Sequence, residues 1–151
     1  MLHALNTVLI PVIAAKGFKP TVPVSQEDTF VLADCKDSGF AKLREVLDTY
    51  ETQKIPIPPK LLVIGESMQA APVTCFVIYK SIEYELPTIA RGIDVILKLQ
   101  IVLGLPASRR SKLIWIFIEK FIYGTAPSEG DYLTVNKLIS YLRNNQNDHP
   151  L

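Results

Sequence analysis

The most apolar part of the chain, residues 74–124, predicts a strand pair followed by two helices. Thr74 to Tyr79 is apolar on both faces, which is typical of a central strand. Residues 82–86 alternate apolar and acidic side chains, and this pattern predicts an edge strand with one charged face. Lys80 and Ser81 would form the turn between the strands. Neither is a common turn residue, so one long strand with a bulge is the alternative.

A helix with a narrow polar stripe is predicted next, over residues 88–104. The Thr88 side chain can cap its start, and Gly104 can adopt the left-handed conformation that ends a helix. The polar positions are spaced three and four residues apart, at Arg91, Asp94 and Lys98. Most of the circumference of this helix is therefore expected to be buried.

A second apolar helix is predicted over residues 108–123, between a Ser108 cap and a stop at Gly124. Its centre, Leu113 to Ile118, consists of six apolar residues in succession. A helix that is apolar nearly all round is covered either by its own domain or by a partner. Aromatic side chains anchor many interfaces, so the candidate interface residues are Trp115, Phe117, Phe121 and Tyr123.

The first half of the chain predicts a strand, an amphipathic helix and a second strand. Thr29 to Cys35 and Lys60 to Glu66 are short apolar runs. Between them, apolar residues from Phe40 to Tyr50 recur at helical spacing, with Asp37 or Ser38 as the N-cap. A crossover of this length makes the two strands parallel. The pattern as a whole predicts an α/β fold, or α+β: a small mixed sheet of about four strands with helices packed on it and an apolar C-terminal helix pair.

The flanking segments show weaker patterns. Leu2 to Lys16 predicts a helix that is kinked or interrupted at Pro11, because proline removes a backbone hydrogen bond. Thr21 to Asp28, which follows one proline and contains another, predicts a loop. A last helix is predicted over roughly residues 131–143.

Length and charge narrow the class of protein. A chain of 151 residues is long enough for one substantial core, so residues 1–143 are expected to form a single domain followed by a disordered tail at 144–151. Its 16 basic and 15 acidic side chains nearly cancel, so nucleic acid could be bound only through a local patch. Charged residues interrupt the stretch from Ile93 to Ile118, which excludes a membrane span and a membrane partner there.

Metal, cofactor and enzyme sites are not predicted. Cys35 and Cys75 lie in apolar surroundings without metal-ligand spacing, so both are expected to be buried, inert thiols in a reducing compartment, the nucleus or the cytosol. Gly65 to Gln69 superficially resembles a hydrolase serine turn around Ser67. A glycine is missing at the end of that motif, however, and the two histidines lie at the chain ends.

Two charged features have a functional and a simpler interpretation. Glu83 and Glu85 point the same way from a strand, like an acid and base pair, but a solvated strand face gives the same arrangement. Arg109, Arg110 and Lys112 lie at a helix start, where positive charge opposes the helix dipole. These three cations are the candidate site for an anion, nucleic acid or acidic partner, and neutralisation by acidic residues is the alternative.

Residues 74–124 resemble a region of uncharacterised animal proteins, some of which carry zinc fingers or are related to mobile elements. The resemblance is carried by Ile96, Leu97, Lys98, Val102, Leu103, Trp115, Phe117, Ile118 and the closing Phe121, Ile122, Tyr123 and Gly124. It implies a nuclear association module, a transcription- or chromatin-associated scaffold within a larger protein. This chain has no zinc-finger cysteines.

The leading hypothesis from sequence is a non-enzymatic protein-interaction module. It would associate with itself, or with a partner protein, through the helices at 88–104 and 108–123. Its alternative is a module that binds nucleic acid or phosphate through Arg109, Arg110 and Lys112.

Overall fold

The computed structural model describes residues 5, 7–9, 20–66, 74–126 and 130–147. Within them, the elements in chain order are α1 (Val22–Thr29), β1 (Val31–Ala33), α2 (Lys36–Thr52), β2 (Lys60–Ile64), β3 (Thr74–Tyr79), β4 (Ile82–Leu86), α3 (Ile89–Leu103), α4 (Lys112–Phe117), a π-helical turn (Ile118–Ile122) and α5 (Leu133–Asn147). The predicted α/β class is confirmed.

The four strands form one mixed sheet in the order β1-β2-β3-β4. β1 and β2 are parallel, with Val31 opposite Leu62, as the predicted crossover requires. β2, β3 and β4 are antiparallel neighbours, and β4 is an edge strand, as predicted. The hairpin between β3 and β4 turns at Lys80. Its φ of 55° lies in the left-handed region, which is uncommon for a residue other than glycine, and the turn contains no glycine.

Helices cover both faces of the sheet. Side chains of a strand alternate between its two faces, so each face offers apolar residues to a helix. α2 packs against one face through Leu43 and the partly buried Phe40, over Val31, Leu62, Phe76 and Ile78. α3 packs against the other through Ile93, Ile96 and Leu97, over Leu61, Val63, Cys75 and Val77. The sheet is therefore the middle of three layers.

Two glycines allow these helices to approach β2 closely from opposite sides. A Cβ at Gly39 of α2 would lie 2.7 Å from Leu62 Cδ1, and a Cβ at Gly92 of α3 would lie 2.5 Å from Leu61 Cδ1. Both distances are shorter than van der Waals contact allows. Adjacent residues of β2 thus each face a glycine where a helix passes over them.

The apolar run of α4 is covered by the protein's own chain. Leu113 to Ile118 belongs to the same core cluster as α3. Val135 and Ile139 of α5 complete the cluster, together with Leu5 and Leu9 near the N-terminus. A single copy of the chain therefore encloses the segment that suggested an interface.

The predicted loop at 21–28 is wrong, because these residues form most of α1. Thr21 caps the helix by accepting a hydrogen bond from the backbone N–H of Val24, at 3.4 Å. Pro23 lies in the first turn, where the missing N–H of proline removes no helical bond. The proline that suggested a loop is compatible with a helix start.

The helix predicted to begin at Ser108 begins instead at Lys112. The Ser108 and Ser111 hydroxyls bond to side chains of α1 and α2, so neither caps α4 with its side chain. Beyond Phe117 the helix widens into the π-helical turn, where the N–H of Tyr123 donates to the carbonyl of Ile118, at 3.3 Å. Gly124 follows with a positive φ, as expected of a helix stop.

The chain ends and the cysteines agree with expectation only in part. Leu9 N–H donates to the carbonyl of Leu5, consistent with the predicted N-terminal helix, whose kink at Pro11 lies outside the described residues. α5 continues to Asn147, so the first part of the predicted disordered tail is helical. Cys75 is buried as predicted, but Cys35 is exposed because it precedes the first turn of α2.

Among the described residues, no helix has both the length and the apolarity to cross a bilayer.

Candidate functional site

A cluster of polar side chains lies inside the protein, where four separate segments meet. We define the polar cluster as Asp28, Tyr50, Lys60, Ser108 and Ser111. They come from the last turn of α1, the end of α2, the first position of β2 and the turn before α4. All except Ser108 are buried, and Lys60 is only 1% exposed. Buried charges are rare unless they are paired, so this arrangement requires a partner for each charge.

Lys60 and Asp28 form the ion pair at the centre of the cluster. The Nζ of Lys60 lies 2.7 Å from Asp28 Oδ1 and 3.2 Å from the backbone carbonyl oxygen of the same residue. It also donates to the Tyr50 hydroxyl, at 3.1 Å, and lies 4.3 Å from the centre of the Tyr50 ring. Three acceptors thus satisfy the three donors of the ammonium group.

Hydroxyl groups donate further hydrogen bonds to the Asp28 carboxylate. Tyr50 donates to Asp28 Oδ1, and Ser111 donates to Oδ2, at 2.6 Å. The Ser111 oxygen in turn accepts from Trp115 Nε1, at 3.2 Å, while the Tyr50 and Ser108 oxygens are 2.7 Å apart. Both carboxylate oxygens are therefore bonded, and the indole of Trp115 extends the network into the core.

The pKa values in the cluster follow from this geometry. Burial raises the pKa of Asp28, but the charge of Lys60 and hydrogen bonds from Lys60 and Ser111 outweigh it, so the pKa lies below its ordinary value. Burial lowers the pKa of Lys60, against the opposing effect of Asp28. Burial, followed by the Asp28 charge, raises the pKa of Tyr50, which keeps its phenol protonated.

These shifts predict how acid affects stability. Because the pKa of Asp28 is lower in the folded protein than its ordinary value of 3.8, its contribution is present above pH 3.8 and is lost as pH falls through the folded pKa. We expect the free energy of unfolding to fall more steeply with acid in the wild type than in the double variant Asp28→Leu/Lys60→Met. Urea unfolding at several pH values measures both slopes. Equal slopes would contradict the assignment of this acid sensitivity to Asp28, since the other carboxylates are common to both proteins.

An open cleft of about 760 Å³ lies beside the cluster. Its walls are α1 and α2, its base is the free edge of β1, and Asp28 and Arg110 lie at the cluster end. The residues that line it are Val24, Gln26, Glu27, Asp28, Val31, Leu32, Lys42, Glu45, Val46, Thr49 and Arg110. The cleft combines an apolar middle with charged side chains of both signs.

The edge of β1 presents backbone groups to this cleft. The carbonyl of Ala33 accepts from Gly65 N–H, at 2.9 Å, so the polar backbone groups of Ala33 face β2. Successive residues of a strand direct these groups to opposite edges, which places the N–H and carbonyl of Leu32 on the cleft side. The exposed Lys42 side chain covers this carbonyl, with Nζ 3.1 Å from the oxygen.

The three cations of the candidate anion site point to different partners. Arg110 donates to Gln53 Oε1, at 3.0 Å, and its guanidinium lies 5.3 Å from the centre of the Tyr50 ring. Lys112 Nζ lies 5.3 Å from the centre of the Tyr132 ring. Arg109 is exposed, and α4 is too short to provide an N-terminal anion site. These contacts do not bring the three residues to one common ligand position.

The four candidate interface aromatics have different environments. Trp115 and Phe117 are buried in the core of a single chain. Phe121 stacks on Phe117, with ring centres 5.1 Å apart, and is half-buried. Tyr123 is exposed and donates to Asp94, at 3.0 Å. Only the last two offer surface to another molecule.

Sequence reasoning missed the polar cluster and the cleft. Tyr50 was placed on the buried face of α2, but nothing in the pattern indicated that its hydroxyl meets a charge. The one available signal was a lysine at the start of an otherwise apolar strand, Lys60, which is unusual for a buried position. Ser67, in the turn that superficially resembles a hydrolase motif, lies outside the described residues.

The predicted lack of a metal site stays a prediction, although the described part of the chain contains no group of three or more potential metal ligands. The chain matches no family model, and no similar curated protein or solved structure was found. The site is therefore interpreted from its own geometry.

Proposed function

We propose that this protein is a non-enzymatic interaction module that binds an extended segment of a partner protein in the cleft beside β1. The observation that carries the proposal is the edge of β1 that pairs with no described strand, at the base of a cleft. An extended segment can add to such an edge as a further strand, with backbone hydrogen bonds for affinity and side-chain pockets for specificity.

The dimensions of the cleft suit a short segment. Lys42 and Thr49 mark its length along α2, and seven residues of helix correspond to about 10 Å. About three extended residues span that distance. Side chains of the segment would alternate between the α1 wall, which includes Val24, and the α2 wall, which includes Val46.

The contact between Lys42 and the edge of β1 supports the same proposal. Its ammonium group covers the Leu32 carbonyl but is otherwise exposed, so a backbone N–H of the partner can replace it without uncovering a buried charge. A lysine that covers a backbone group of a strand edge also hinders indiscriminate strand pairing.

The polar cluster supports a role in positioning rather than in catalysis. Its charged groups are bonded to one another and nearly inaccessible, so a substrate cannot reach Lys60 or Ser111. The cluster instead joins α1, α2, β2 and the turn before α4. It thereby holds the two walls of the cleft at a fixed separation.

Self-association through the helices at 88–104 and 108–123 has less support, because the aromatic centre of the second helix is enclosed. A location in a reducing compartment belongs to the proposal and is supported by two free thiols, Cys35 and Cys75. The resemblance of residues 74–124 favours the nucleus.

The test is a selection of short random peptides on the wild-type protein, followed by affinity measurements on two variants. Leu32→Pro removes the N–H that faces the cleft, whereas Leu32→Ala shortens the same side chain and keeps that N–H. We expect the selected peptides to bind Leu32→Ala and to lose roughly tenfold in affinity on Leu32→Pro, the value of about one backbone hydrogen bond. Circular dichroism is used to check that both variants are folded.

Lys42→Met provides a second measurement. It uncovers the Leu32 carbonyl, so peptide affinity should increase by a few fold, while Arg44→Met on the exposed side of α2 should leave it unchanged. Peptides that bind the two Leu32 variants equally would show that β1 is not the binding edge.

A further inference from the structure

The opposite edge of the sheet, β4, has a surface chemistry distinct from that of the cleft. Ile82 and Tyr84 point to the face of the sheet that α3 covers, yet they are 50% and 51% exposed. Glu83 and Glu85 point to the other face and are also exposed. β4 therefore presents an open strand edge with an apolar row on one face and an acidic row on the other.

Neighbouring groups leave this acidic row largely uncompensated. Lys36 Nζ lies 3.7 Å from Glu83, and both side chains are about half exposed. The same ammonium group lies 4.7 Å from the ring centre of Phe76, which is opposite Glu85 in the sheet. Within the described residues, no ion pair to Glu85 is present. One exposed lysine thus faces two glutamates.

The charge pattern argues against a second copy of the chain at this edge. An antiparallel pair of β4 strands centred on Tyr84 would place Glu83 of one copy opposite Glu85 of the other. A parallel pair in register would place each glutamate opposite itself. Like charges directly opposite one another destabilise a strand pair.

We propose that β4 is a second binding edge, and that its ligand is an extended segment of another protein in which apolar residues alternate with lysine or arginine. Strand addition places the two chains about 4.8 Å apart, within reach of cross-strand side-chain pairs. The basic side chains of the segment then lie beside Glu83 and Glu85, and its apolar side chains cover Ile82 and Tyr84. This surface is separate from the cleft beside β1 and does not depend on the function proposed for that cleft.

The test uses the full chain and three fluorescent synthetic peptides. In the first, valine and lysine alternate; in the second, valine and glutamate alternate; the third has the composition of the first with the lysines grouped together. We expect the alternating basic peptide to bind about tenfold more tightly than either of the others in fluorescence anisotropy, from two favourable charge pairs and a matched apolar row. Amide signals of residues 82–86 should shift on binding in NMR spectra.

Charge reversal separates this site from general attraction between opposite charges. The double variant Glu83→Lys/Glu85→Lys should prefer the alternating acidic peptide over the basic one. A matched control, Asp48→Lys/Glu51→Lys, reverses the same charge on the exposed surface of α2, away from both β4 and the cleft, and should keep the wild-type preference. Equal binding of the alternating and grouped basic peptides, or an unchanged preference after reversal at β4, would overturn the proposal. Because the readout at residues 82–86 does not involve the cleft beside β1, either proposal can fail alone.

Discussion

Replacing Lys60 with methionine is expected to lower the free energy of unfolding by about 3–5 kcal/mol. The substitution keeps the length and the apolar part of the side chain but removes the ammonium group. Asp28 then remains buried next to hydroxyl donors without its counter-ion, which is the arrangement that makes a broken buried ion pair so costly. Urea unfolding followed by circular dichroism measures the loss.

Two comparisons test this cause. The double variant Asp28→Leu/Lys60→Met removes both charges, so it should be more stable than Lys60→Met alone. Lys98→Met breaks an exposed ion pair with the same 2.7 Å separation, Lys98–Asp94, and should cost less than about 1 kcal/mol. A loss for Lys60→Met as small as that for Lys98→Met would mean that the buried pair does not stabilise the fold.

Replacing Trp115 with alanine is expected to cost about 3–5 kcal/mol as well, without changing the mass of the protein in solution. Trp115 is 4% exposed in a single chain, so truncation leaves a cavity in the core and removes the hydrogen bond from its indole to Ser111. Light scattering and urea unfolding on the same samples separate a core role from an interface role.

Tyr123→Ala is the matched control, because Tyr123 is an aromatic residue of the same helical region that is 39% exposed. It should lose about 1 kcal/mol or less, mainly from its hydrogen bond to Asp94. If Trp115→Ala instead kept its stability and dissociated from a larger assembly, the interface hypothesis drawn from the sequence would be restored.

Sequence patterns predicted the sheet well because each signal was local. The strand pair at residues 74–86, the parallel pair around α2 and the cap and stop of α3 depend on alternation, spacing and one residue at each helix end. Thr88 accepts from Arg91 N–H and Gly104 has a φ of 59°, as predicted. The edge position of β4 follows from its acidic alternation in the same way.

The missed features depend on contacts between distant residues. The start of α4 was misplaced because Ser108 had a plausible capping pattern, while its hydroxyl in fact meets Tyr50 on another helix. Whether Trp115 is covered by its own chain or by a partner was not predictable, because hydrophobic pattern alone does not say which surface covers an apolar helix. The cleft has no sequence signal, since it is formed by the spacing of α1 and α2.

The polar cluster also has a consequence for the lifetime of the folded state. Its bonds join residues between 10 and 83 positions apart, so each can exist only after two separate segments have met, and the complete cluster only after all four have. Contacts that form after the rate-limiting step of folding contribute little to the speed of folding and mainly slow unfolding. We therefore expect the cluster mainly to slow unfolding, and so to lengthen the time for which each folded molecule keeps the two walls of the cleft in place.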